Sequence, residues 1–221
     1  MGLILPQIQS FIYDEEVLPQ GSNSVEFRLV YDGRLRASAK GNNRSDDKHI
    51  IRKVLHRQLR ELCHRDANLR YIMEERHMAE HLAADFQRGD GFAFVPLINQ
   101  RFSAFASLDI LFLRRDSPGN LIQNAGDIDN RVKTLFDALK VPRVRGDISA
   151  DKPDDDEHPF FCLLEDDALI TSLKVTTDRL LWPLNPEAPT LPDHPLSDVF
   201  LVIHVKTGVF TPNSVFASFF Q

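Results

Sequence analysis

Apolar and polar residues alternate through VEFRLVYDG, residues 25–33, the period of a strand with one buried face. The period lengthens at Asp46. In DDKHIIRKVLHRQLRELCHRD, Ile50, Ile51, Val54, Leu55, Leu59 and Leu62 recur at helical spacing, and Asp46 and Asp47 suit a helix start. The other face of that helix carries Lys48, Arg52, Lys53, Arg57 and Arg60. A second helix is predicted over about 68–88, stopping at Gly89 and Gly91. FAFVPLINQ and FSAFASLDILFLRRD predict two strands, the latter apolar enough to be central in a sheet. In GDIDNRVKTLFDALK, Val132, Leu135, Phe136 and Leu139 fall on one side of a helix that Pro142 stops.

The remaining segments are polar, or are strands. RLRASAKGNNRSDD reads as a basic loop, SPGNLIQNAG as a second loop and RVRGDISADKPDDDEHP as a charged one without periodicity. FFCLLEDDALITSLKVTTDRLLW predicts a strand interrupted by an acidic triplet. A Pro-rich loop from Pro183 to Pro195 then leads to a last strand, DVFLVIHVKTGVF. No internal repeat is present. The order predicts an α+β fold: after a lead segment, 1–24, a single domain over 25–221 with one mixed β-sheet packed by helices.

Composition adds a core and removes some classes. Phenylalanine outnumbers tyrosine and tryptophan, 16 against 3 and 1, which favours a packed interior over a tyrosine-rich binding face. No apolar run approaches the ~20 residues of a membrane span, and the N-terminus lacks the basic region of a signal peptide. Cys63 and Cys162 have no CxxC spacing. The expectation is a reduced, cytoplasmic protein with no membrane partner.

The net charge of −6 argues against a nucleic-acid partner, but its distribution does not. From Arg28 to Arg60 there are ten Lys/Arg against three acids, whereas Asp147 to Glu157 holds six acids and only Lys152. A chain polarised in this way can attract an anion with one face.

Asp127 and Asp129 stand at the mouth of the helix that ends before Pro142. One aspartate suffices as a cap, worth about 1 kcal/mol. At i and i+2 of an extended entry, both carboxylates converge, and they repel unless a cation lies between them. Hard oxygen ligands without His or Cys suit Mg²⁺ or Mn²⁺. LLEDDALI offers Glu165, Asp166 and Asp167 as further ligands, or as a tight turn between strands. Lys133, four residues after Asp129, suits either a salt bridge or a phosphate.

The pattern Asp127-Ile128-Asp129-Asn130, Lys133, Asp137-Ala138-Leu139 and Asp166-Asp167 resembles the RusA family of Holliday-junction resolvases. The core of the likeness covers Asp127 to Ile170. It implies a homodimeric, Mg²⁺-dependent endonuclease that nicks branched DNA symmetrically, with Asp127, Asp129 and Asp167 as its essential acids and Lys133 as a functional lysine. Asp166 is a further metal-ligand candidate. Arg34, Arg36, Lys40, Arg44, Lys53 and Arg57 are the expected contacts to the DNA backbone. The chain departs from the family in an acidic insertion at about 141–164, in the second predicted helix and in its N-terminal lead.

Three other readings compete. A non-catalytic nucleic-acid-binding or protein-interaction module would keep the same fold. A zinc site would draw on Cys63, His64, His77 and His81. A calcium loop at DISADKPDDDE lacks the glycine and terminal glutamate of an EF-hand, so a solvated acidic loop accounts better for it.

Overall fold

The structure, a computed structural model, describes residues 25–37, 44–66, 69, 86–87, 91–114, 128–149, 152–181 and 198–210. Their order is β1 (Glu26–Arg34), α1 (Ser45–Arg65), β2 (Phe94–Ile98), β3 (Ala104–Arg114), α2 (Ile128–Leu139), β4 (Phe160–Leu164), β5 (Ile170–Arg179) and β6 (Asp198–Val209). The lead segment and most of the second predicted helix lie outside the described residues.

Alternation along β1, β3 and β6 builds one mixed sheet in the order β1-β6-β3-β5. β6 runs antiparallel to β1 and β3, and β5 runs parallel to β3. β3 is interior, as its apolar sequence predicts. One face of the sheet presents Leu29, Tyr31, Leu108, Ile110, Leu201 and Ile203 to Ile51, Leu55 and Leu59 of α1 and Leu135 and Leu139 of α2. The apolar side expected of α2 is the buried one: Val132, Leu135 and Leu139 are buried, and Phe136 packs partly against the core.

Among the described residues β1 is an edge strand, and the side chain of Gln58 satisfies it at Val30. The Val30 N–H donates to Gln58 Oε1 (2.8 Å), and Gln58 Nε2 donates to the Val30 carbonyl (2.7 Å). An amide side chain thus stands in for a neighbouring strand at the point where α1 passes.

Three features of the structure refine or overturn the expectations. First, the acidic triplet does not interrupt one strand. It separates β4 from β5, and β4 pairs in parallel with β2 in a second, two-stranded sheet. Second, the segment 141–164 is part of the fold. Val141, Ile148, Phe160 and Cys162 join Phe92 and Phe94 in a second buried cluster.

Third, α1 is packed on two sides, so its exposed stripe is not the one that simple amphipathicity gives. Ile50 is 55% exposed, whereas Lys48, His49, Arg52 and His56 are buried. The sheet takes one side of the helix. α2, β4 and the loop before β4 take the other through Arg52, Lys48 and His56. Asp46 and Asp47 lie in the first turn of α1 but do not cap it. The residue before the helix is Arg44, in a left-handed conformation (φ 52°).

Candidate metal and nucleic-acid site

One face of α2 carries Asp129, Lys133 and Asp137, with Lys140 following, at spacings of four, four and three. Asp129 and Lys133 are exposed. Among the described residues they form no ion pair with each other, so the simple salt bridge is not made. Asp127, their expected companion, lies outside the described residues.

The other end of this face is fully paired. Lys140 Nζ lies 3.2 Å from Asp137 Oδ1 and 2.9 Å from Asp167 Oδ2. Burial pushes the Lys140 ammonium down, but its bonds to Asp167 and Asp137 outweigh that and hold its pKa above the ordinary value. Asp137 also meets Lys48 Nζ at 3.5 Å.

Glu165 and Asp166 have structural work. Glu165 Oε2 accepts from the Gln100 N–H (2.7 Å), and its own N–H donates to the Ile98 carbonyl (2.8 Å). Asp166 Oδ1 accepts from the Ala168 N–H (3.0 Å) and so caps the 3₁₀ turn Asp167–Leu169. Its Oδ2 binds Arg143 at 2.9 Å. The Ala168 N–H and then the Arg143 guanidinium hold the Asp166 carboxyl well below the usual carboxylate range. The tight-turn reading therefore accounts for Glu165 and Asp166, while Asp167 reaches out of the turn to Lys140.

Asp129 and Lys140 are eleven residues apart along helical chain, roughly 16 Å at 1.5 Å per residue. Asp129 consequently stands at one end of α2 and Asp166–Asp167 at the other. Among the described residues, the group of acids whose ligand atoms lie within 4.8 Å of one another is Asp154, Asp156 and Glu157. That cluster could hold a metal ion, but a lysine already occupies it: Lys53 Nζ is 2.7 Å from Asp154 Oδ2 and 3.2 Å from Glu157 Oε1.

The same loop meets two more cations of α1. Asp156 Oδ2 lies 3.7 Å from Arg57 Nε and 3.6 Å from Arg60 Nη1, and Arg60 also donates to the Asp156 carbonyl (3.0 Å). The acidic loop is thus not simply solvated, because it lies on the basic face of α1. His56 locks the arrangement. The Phe161 N–H donates to its Nδ1 (2.8 Å), which places the ring proton on Nε2, facing the Asp156 carbonyl at 2.9 Å. Burial lowers the His56 pKa and favours this neutral form.

The expected DNA contacts are therefore unequal. Lys53 and Arg57 face acids of their own chain. Arg36 grips Asp47 with both ends of its guanidinium (2.6 and 2.8 Å). Arg34 ends β1, and Arg44 Nε donates to the Ala37 carbonyl at 3.4 Å. Lys40 lies outside the described residues, as do His77 and His81 of the zinc reading. Cys63 is buried and His64 exposed, so the dipeptide does not converge on a metal. Burial pushes the thiols of Cys63 and Cys162 up to about 12.

No protein-family model matches the chain, and neither curated proteins nor solved structures give a match. No helix among the described residues is long and apolar enough to cross a membrane.

Proposed function

We propose that the chain is a Mg²⁺-dependent, structure-selective endonuclease of the RusA type, acting as a homodimer on Holliday junctions or related branched DNA in the cytoplasm. The observation that carries the reading is Asp129. It is an exposed carboxylate without an ion pair among the described residues, one helical turn from an equally unpaired Lys133, whereas Asp137, Asp166 and Asp167 each have a cation.

Asp129, with Asp127 two residues before it, offers the hard oxygen donors that Mg²⁺ or Mn²⁺ prefers. Such an ion would supply Lewis acidity and a water of lowered pKa. Hydrolysis adds the water oxygen to phosphorus and breaks the bond to the leaving sugar oxygen, which takes up a proton. Lys133 neutralises charge on the phosphate under attack, whereas Asp167, bound to Lys140 at the other end of α2, stands apart from this pair within one copy. Backbone contacts from Arg34, Lys40 and Arg44 hold the DNA without reading its sequence. The two buried, unpaired thiols fit a reducing compartment.

A second reading, a non-catalytic binding module, draws on the pairing of Asp166 and Asp167 with Arg143 and Lys140. Incubation of labelled four-way junction, linear duplex, single strand and RNA with Mg²⁺, Mn²⁺ or EDTA separates the two. Paired metal-dependent nicks confined to branched DNA support the nuclease; binding without cleavage of any substrate supports the module.

A further inference from the structure

We infer that the turn formed by Asp154 to Glu157 is an internal competitor for nucleic acid. Its exposed carboxylates occupy Lys53, Arg57 and Arg60 of α1 in place of backbone phosphates, and DNA binds this face by displacing them. The inference rests on nucleic acid as the ligand, which the nuclease and binding-module readings share, and not on cleavage.

Lys53, Arg57 and Arg60 recur at spacings of four and three, so they line one face of α1. The turn is fixed over that face by groups other than its two outer carboxylates. Glu157 is buried. Its Oε1 lies 3.2 Å from Lys53 Nζ, and its Oε2 accepts from the Asp154 N–H (2.9 Å). The Glu157 N–H donates back to the Asp154 carbonyl (2.9 Å). The Asp156 carbonyl accepts from Arg60 (3.0 Å) and faces the His56 ring proton (2.9 Å). None of these contacts uses the carboxylate of Asp154 or of Asp156.

Those two carboxylates instead cancel charge at a wet surface. The side chain of Asp154 is 57% exposed and that of Arg57 63%. Exposed ion pairs contribute about 0–1 kcal/mol each, so stability gives little reason for them. Electrostatics gives more. Asp155 beside them is exposed and has no ion pair among the described residues, so four acids face three cations. All seven charges lie in one stretch of surface, where screening over about 10 Å does not separate them. A helix face that would attract phosphates therefore presents a small net negative charge.

The cover is loose where it has to yield. Asp156 Oδ2 stands 3.7 Å from Arg57 Nε and 3.6 Å from Arg60 Nη1, longer than the roughly 2.7–2.9 Å of a charge-assisted hydrogen bond. A phosphate can take Arg57 with two oxygens and make the short contacts that Asp156 does not. Rotation of two exposed side chains admits it, and the backbone of the turn stays in place. The cost of displacement falls on every ligand alike, so ligands that make few other contacts are the first to be excluded.

A double-mutant cycle on binding tests the competition. Anisotropy of a labelled duplex is followed in EDTA at 0.1 M salt, where metal-dependent cleavage plays no part. Asp154→Asn/Asp156→Asn should bind about tenfold more tightly than wild type, roughly the worth of one regained phosphate contact. Arg57→Gln in the wild-type background should change affinity by less than about twofold, because Asp156 already faces that guanidinium. Added to Asp154→Asn/Asp156→Asn, it should remove most of the gain. A gain of equal size with and without Arg57 means that the acids act by general repulsion, and it overturns the inference. No gain overturns it as well. The cycle repeated with Asp156→Asn alone guards against a misfolded double variant, and the same dependence on Arg57 is expected. Failure of wild type to cleave a junction with Mg²⁺ overturns the nuclease reading instead and leaves the outcome of the cycle standing.

Discussion

Arg52→Met removes a guanidinium that joins three parts of the fold. Arg52 Nη2 donates to the Asp137 carbonyl at 2.7 Å, and Nη1 donates to the Asp147 carbonyl at 2.9 Å. The first of these acceptors belongs to the last turn of α2, where carbonyls have no partner within the helix. Burial lowers the Arg52 pKa. A hydrogen bond from a charged donor contributes about 1.5–3 kcal/mol, so two are worth about 3–6 kcal/mol. Methionine keeps the apolar stem in place. It also relieves the buried Arg52 Nε, which has no partner, returning about 1–2 kcal/mol. The net loss is about 3 kcal/mol. At a urea slope of about 2 kcal/mol/M the unfolding midpoint falls by about 1.5 M. Circular dichroism in urea at pH 7 measures it, with Arg65→Met as the control. Arg65 pairs with Glu61 on the exposed surface of α1, a pair worth about 0.3–0.5 kcal/mol. If Arg52→Met moves the midpoint no further than the control does, the stapling role is refuted.

His49 packs its ring against Phe92 and Phe160 with both nitrogens unpartnered, and burial, then Arg52 and Lys53, lower its pKa to about 4. A lowered folded-state value means stability that is present above about pH 6.5 and lost as pH falls towards 4. His49→Phe should remove most of that loss, about 2.5 kcal/mol, in unfolding curves at pH 7 and pH 4.5. Equal acid sensitivity of variant and wild type would contradict the assignment. Asp154→Asn/Asp156→Asn should free Arg57 and loosen Lys53 and Arg60, which keep only Glu157 and the Asp156 carbonyl, raising duplex affinity in fluorescence anisotropy. The log–log salt slope should steepen by up to about three. An unchanged slope would mean that this face does not meet DNA.

Local patterns were the legible part of the fold. The stripe Val132, Leu135 and Leu139 and the alternation of β1 and β6 each follow from a single element burying a single face. α1 defeated the same logic because it buries two faces. One is apolar, while the other hides Lys48, Arg52 and His56 against carbonyls and carboxylates that no periodicity announces. The β2–β4 pair was illegible because its strands are more than sixty residues apart. Lys53 and Asp154 are farther apart still, so a basic run and an acidic run that neutralise each other looked like two separate surfaces. At the candidate site, spacing singled out Asp129 and Lys133, both exposed and neither in an ion pair among the described residues. It gave no sign that the length of α2 stands between Asp129 and Asp167, because separation along a helix appears only once the helix is placed.

The most direct test is the rate of four-way-junction cleavage by wild type and by Asp129→Asn, each with Mg²⁺ and with EDTA. The account predicts paired nicks by wild type that EDTA abolishes, and a loss of at least about a hundredfold in the variant. The variant should keep junction binding and its urea midpoint, because the side chain is exposed and unpaired among the described residues. Cleavage by Asp129→Asn at the wild-type rate, or no cleavage of any substrate by folded wild-type protein that binds the junction, would contradict it.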